Sequence, residues 1–161
     1  MTLKDIIDIV EKVSLKMPNI KTSYEGSVYD LNSKPDIEHT VTVLTQRTHD
    51  YDWNNQMWTF HFVLFYVDKL TNDESNRQDI QSNGIIALHN IVRNVCEITG
   101  LECSFEQYDT FTESFASLCA GAYVSFDLQC PDWNCGYEID VDDVEFDDPV
   151  EPINSNDEEE G

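Results

Sequence analysis

The run Trp58-Thr-Phe-His-Phe-Val-Leu-Phe-Tyr-Val-Asp68 decides the fold. Its residues alternate as two sets, Trp58, Phe60, Phe62, Leu64 and Tyr66 against Thr59, His61, Val63, Phe65 and Val67, which is the period-two signature of a β-strand. Both sets are largely apolar, so neither face of this strand is built for water. The strand is expected at the centre of a sheet, with a helix on one side and something else, a neighbouring subunit being one candidate, on the other.

A second β-branched run occupies residues 37–44, where Ile37, His39, Val41 and Val43 alternate with Glu38, Thr40, Thr42 and Leu44. Upstream, Thr2 is a good N-cap with Asp5 three residues later, and Leu3, Ile6, Ile7, Val10, Val13 and Met17 follow at helical spacing. That predicts a helix over 3–17 with one apolar face, stopped by Pro18. Residues 19–35 read as loop with a short strand around 27–29. Downstream, Ile80, Gly84, Leu88, Ile91, Val95 and Ile98 predict a helix of about 22 residues, closed by Gly100. Two more strands are expected at 102–108 and 118–128.

The order α-(β)-β-β-α-β-β implies an α+β fold: a mainly antiparallel twisted sheet with two α-helices packed on one face, followed by an acidic C-terminal extension. Residues 1–129 form one α+β domain in this reading, and 130–161 an arm or tail.

Charge supports that division. The 161 residues carry 32 Asp and Glu against 9 Lys and Arg, a formal charge of −23. Twelve of the acids lie between Glu138 and Glu160, where there is no Lys or Arg, so residues 1–137 carry −11 and the tail −12. Such a balance argues against a phosphate-backbone or anionic-membrane binder, because both need clustered cations. No run approaches the ~20 apolar residues of a membrane span. The N-terminus lacks the pattern of a signal peptide, so a protein made and kept in a cytoplasm is expected. Five cysteines, an odd number without a secretory signal, point to reduced thiols.

Motifs of catalysis are not signalled: there is no Gly-rich phosphate loop, Gly-x-Ser-x-Gly elbow or His-Glu-x-x-His. His39, His49, His61 and His89 stand apart and read as ordinary histidines, so no enzyme activity and no cofactor are expected. Cys130 and Cys135 have a spacing found in some zinc sites, but no second close pair completes a set of four. Asp50, Asp52 and Asn54 begin a calcium-loop pattern that fails at Asn55, where Gly is wanted, and at His61, where a bidentate Glu is wanted. A polar hairpin tip is the simpler reading, and no metal is expected.

Aromatic residues are the better signal. Tyr51, Trp53 and Trp58 cluster around the loop between the two strong strands, and Trp133 and Tyr137 stand where the extension begins. Large aromatics of this kind anchor protein interfaces, although Trp58 serves equally well in a core. In the extension Ile139, Val141, Val144 and Phe146 are interleaved with acids. That suits either a solvating tail or an extended arm docking on a neighbour by strand addition.

The capped helix from Thr2 to Met17, the Tyr24-Glu-Gly-Ser-Val-Tyr29 stretch, the strands at 39–45 and 58–67, the long helix to Ile98 and the closing hairpin to Leu128 together resemble the tail-completion proteins of tailed bacteriophages, also called tail terminators or neck proteins. The resemblance covers residues 2–128 and lies in the order and spacing of elements. It implies a virion structural protein, made in the host cytoplasm, that forms a homo-oligomeric ring at the head-tail junction, six- or twelve-fold, against other neck, portal or tail proteins. DNA would pass through the lumen without specific binding, and no membrane or reaction would be involved. The extension and the long loop 46–57 depart from that pattern. The competing expectation is a small acidic inhibitor or DNA mimic occupying a basic groove of a host protein.

Overall fold

In a computed structural model that describes residues 1–132, the chain opens on helix α1 (Leu3–Lys16). Its start is fixed by a reciprocal cap: the Thr2 hydroxyl accepts from the Asp5 amide at 3.2 Å, and the Asp5 carboxylate accepts from the Thr2 amide at 2.6 Å. Ile6, Ile9, Val10 and Val13 form its buried stripe. The second helix, α2 (Arg77–Thr99), ends at Gly100, whose φ of 65° lets its N–H close on the Cys96 carbonyl at 2.9 Å.

The strands are β1 (Thr22–Glu25), β2 (Val41–Gln46), β3 (Asp50–Asp52), β4 (Met57–Lys69), β5 (Glu102–Ser114) and β6 (Leu118–Pro131). They form one sheet in the order β1-β2-β4-β6-β5, with β3 paired beside β4. Only β1–β2 is parallel. The fold is therefore α+β, as the element order implies. The 58–68 run is central, because β4 is hydrogen-bonded along one side to β6 and along the other to β2 and β3.

Four local expectations are corrected. Residues 27–29 are not a strand: Ser27 caps a 3-10 helix (Val28–Ser33), its Oγ accepting from the Tyr29 amide at 3.2 Å while Asp30 accepts from the Ser27 amide at 3.1 Å. The extra strand lies earlier, at β1, where it pairs with β2. The strand expected from residue 37 begins only at Val41 and runs on to Gln46. The loop 46–57 contains β3. Finally, β5 runs six residues beyond Tyr108, because a register shift between Phe105 and Tyr108 breaks the alternation on which the shorter reading relied.

Both helices lie on one face, over Leu44, Phe60, Phe62, Leu64, Tyr66, Val124, Phe126 and Leu128, which join the α1 and α2 stripes in the main core. On the opposite, open face, Val28 and Leu31 of the 3-10 helix cover only one end, closing a small second core with Val41, Val43, Val67 and Cys119. The layer expected across from the helices is thus partly the chain's own.

Thr42 is fully buried in β2, and its hydroxyl has no hydrogen-bond partner. A buried unpaired hydroxyl costs free energy that an isosteric methyl does not. Thr42→Val is therefore expected to raise stability by about 1 kcal/mol. A urea midpoint unchanged or lowered would refute this.

Candidate functional site

Three groups of side chains stand out, two on the open face and one at the β3 hairpin tip, where Trp58 belongs to the helix-covered side. The first is a polar hollow of about 270 Å³ lined by Arg47, Thr48, Asp50, His61, Glu106, Ser125 and Asp127. His61 of β4 stands opposite Asp127 of β6, and its ring lies between two carboxylates, Nδ1 2.6 Å from Asp127 Oδ1 and Nε2 2.9 Å from Asp50 Oδ2. Ionised carboxylates only accept, so a ring that bonds both of them through its two nitrogens does so as the imidazolium, the form that this placement favours. Burial pulls its pKa down, but the hydrogen bonds and charges of Asp127 and Asp50 outweigh it and raise the pKa above the usual 6.5. In this arrangement no ring lone pair remains to take a proton. The histidine ties the β3 hairpin to β6.

His49 does a complementary job. β2 and β3 are one strand interrupted by a bulge, since Gln46 faces Phe62 and Asp50 faces Thr59, one residue out of step. Across the bulge the Arg47 amide donates to the His61 carbonyl at 2.9 Å, and the His61 amide donates to His49 Nδ1 at 3.2 Å. Nδ1 must then be bare, leaving Nε2–H to donate to Gln46 Oε1 at 3.2 Å. Burial first, and then the His61 charge, push the His49 pKa below 6.5.

The two histidines thus act in opposite senses on stability. His61, raised, contributes fully below its unfolded value and loses that contribution as pH rises through its folded pKa. His49, lowered, contributes fully above its unfolded value and loses it as pH falls through its folded pKa. The hairpin is expected to be held best near pH 6.5, where the two curves cross. NMR titration should put the His61 midpoint above that of His49, and Asp127→Asn should lower the His61 value. Equal midpoints for the two rings would overturn the assignment.

The second group is the hairpin tip. Tyr51 lies 4.7 Å from both Trp53 and Trp58, ring to ring, and Trp58 stacks on Phe60 at 6.1 Å. The Tyr51 hydroxyl bonds the Asp132 carboxylate. Trp58 packs against the main core, whereas Trp53 is 83% exposed. The structure therefore brings Tyr51, Trp53 and Trp58 together but sends only Trp53 wholly into solvent. The tip itself is polar, the Asp52 carboxylate accepting from the Asn54 and Asn55 amides at 2.9 and 3.3 Å. The Asn55 side chain, and then those amide bonds, hold its pKa below the usual carboxylate value. Trp133, Tyr137, Ile139, Val141, Val144 and Phe146 lie outside the described residues.

The third group was not singled out in the sequence. Phe65, Phe111, Phe115 and Tyr123, with Val28 and Tyr29, line an apolar hollow of about 150 Å³. Phe65 lies 5.5 Å from Tyr123 and 6.3 Å from Phe111, and Tyr29, 64% exposed, meets the edge of Phe115 at 6.2 Å. Phe111 and Phe115, four apart in a polar stretch, were the available signal. The bulge in β5 hid the face they share.

Among the described residues no three His, Cys, Asp or Glu side chains are placed to hold a metal ion, and no helix is long and apolar enough to cross a membrane. Comparison of the chain with protein-family models gives no match, and comparison with curated proteins gives none.

Proposed function

We propose that this chain is a structural assembly protein of a tailed-phage virion, forming a homo-oligomeric ring at the head-tail junction through whose lumen DNA passes. The observation that carries the reading is the aromatic hollow on the side of the sheet that the two α-helices leave open, together with a tryptophan that projects from the β3 hairpin tip. Aromatic anchors around a desolvated centre are what a protein interface needs. The resemblance in element order supplies the ring and its location.

The uncovered edge favours the same route of association. β5 ends the sheet, and Glu102, Glu106, Asp109 and Glu113 along it are exposed. Like charges brought side by side disfavour pairing of β5 with its own copy, so copies meet through the aromatic face instead. The same carboxylates repel phosphate, which suits a surface that DNA slides past. That acidic row also favours the second reading, an inhibitor that imitates nucleic acid in a basic groove.

Size exclusion with light scattering on the full chain separates the two. A closed ring of six or twelve copies is expected, and a monomer at ~100 μM would sink the proposal, since interfaces of standard size hold far below that. Trp53→Ser should weaken association by about 30-fold or more, the loss of one hot-spot tryptophan. Because Trp53 is so exposed, that change should move monomer stability by less than about 0.5 kcal/mol. Cutting the chain after Asp132, beyond the last residue of β6, should weaken assembly and leave the domain folded.

A further inference from the structure

Three aromatic side chains stand exposed among the described residues, and two of them have a place in the domain. Tyr29 is a wall of the apolar hollow, and Phe105 stacks on His89 at 6.3 Å. Trp53, 83% exposed, projects from the hairpin tip. An indole held out in water is a large apolar surface suited to burial against another molecule. The hollow is its counterpart. At about 150 Å³ it matches an apolar cavity that takes up one aromatic ring, and Phe111 stands at 75° to Phe65 and at 78° to Phe115, so its walls are set steeply to one another. Glu113 is the charged residue of the lining. A buried tryptophan needs an acceptor for its ring N–H, which only donates, and a carboxylate supplies one.

One copy cannot bring tip and hollow together. Phe65, in the hollow, lies seven residues along β4 from Trp58, roughly 23 Å at the rise of a strand, and Trp53 follows Asp52, which stands opposite Met57, farther still. They are at opposite ends of the sheet. Charge separates the ends as well. There is no Lys or Arg between Arg47 and Lys69 or after Arg93, so the tip presents Asp52 and Asp132 without either. At the hollow's end Lys21, Lys34 and Lys69 are exposed among acids. Lys34 closes the 3-10 helix, Lys69 stands opposite Cys119, and the Lys21 amide donates to the Thr40 carbonyl at 2.9 Å, just before β2. Tip against tip would set carboxylate against carboxylate. Tip against hollow brings Asp52 and Asp132 toward lysines.

We infer that Trp53 of one copy seats in the hollow of Phe65, Phe111, Phe115 and Tyr123 of the next, a head-to-tail joint that rests on the ring reading above and specifies its contact. The benzo ring of the indole fills the hollow, and the ring N–H, left at the rim, donates to the Glu113 carboxylate. A joint between unlike patches leaves every growing chain of copies with one free tip and one free hollow, until the last copy closes on the first. That is how a heterologous interface makes a ring, whereas pairing through one shared patch stops at a dimer.

The test uses the full chain carrying either Trp53→Ser, which spoils the tip, or Phe115→Asp, which puts a charge in the hollow, with native mass spectrometry as the readout. Each variant alone is expected to lose the ring and to associate about 30-fold or more weakly. Mixed in equal amounts, the two should form a 1:1 dimer and nothing larger. Such a pair holds one sound tip in one sound hollow and presents only a spoiled tip and a spoiled hollow to further copies. Circular dichroism checks folding, and if Phe115→Asp does not fold, Tyr29→Asp replaces it, at a wall position that is 64% exposed. A ring that survives Trp53→Ser, or a mixture that gives no dimer, overturns this joint and leaves the ring standing. An unaltered chain that stays monomeric overturns the ring reading and the joint with it.

Discussion

Phe126→Ala is expected to lower the stability of the domain by about 3–5 kcal/mol, the range for deleting a buried aromatic ring. Phe126 is wholly inaccessible and sits at the middle of β6 on the helix-covered face. Its ring centroid lies 5.5 Å from that of Phe62, directly opposite it in the register of β4, and both belong to the core that α1 and α2 close. Because these neighbours are held by strand pairing and by two helices, they have little freedom to collapse into the space left behind. The cavity therefore persists, and its cost adds to the lost transfer free energy. Small domains are stable by only ~5–15 kcal/mol, so the change removes a large part of the total. A urea titration should show a lowered midpoint with the slope unchanged, and a loss below about 1 kcal/mol would mean that the two rings do not form the centre of the core.

What the sequence discloses of this fold follows from where its signals are periodic. β4 and β6 could be read because their alternation runs unbroken for more than ten residues, and α1 because cap, stripe and stop agree. β1 could not: four residues of moderate burial owe their extended form to pairing with β2, a contact that composition does not encode. β5 was cut short for a related reason. The bulge keeps Tyr108 on the face of Cys103 and Phe105 although it is out of step with them, and sends Phe111, which alternation would place beside them, to the open face.

The candidate site divides in the same way. Tyr51, Trp53 and Trp58 are close in sequence, and a hairpin keeps them close in space. His61, Asp50 and Asp127 are drawn from three strands, and only the register of β4 against β6 makes Asp127 a neighbour of His61. A lone histidine in an apolar strand gives no hint of two carboxylates. The site's defining charge pattern is a property of pairing.

Pairing of β4 with β6 also explains the largest effect expected from any single small change. Gly121 lies opposite Val67, and a Cβ built on it would stand 1.8 Å from the Tyr66 carbonyl oxygen and 2.8 Å from the Phe111 ring. The first contact is with backbone, which cannot turn aside as a side chain can. Gly121→Val must therefore part the central ladder, which runs from Met57–Pro131 to Lys69–Cys119, and a loss of at least ~4 kcal/mol or failure to fold is expected. Gly100 provides the contrast, since a Cβ there meets nothing and only its φ of 65° is at stake. Gly100→Ala should cost only about 1–2 kcal/mol, the penalty for a side chain in the left-handed region. Phe111→Ala separates the two clashes at Gly121. If the backbone contact dominates, removing the ring leaves Gly121→Ala as unstable as before; recovery of most of the lost stability in the double variant would assign the strain to Phe111 and refute the close approach of the strands.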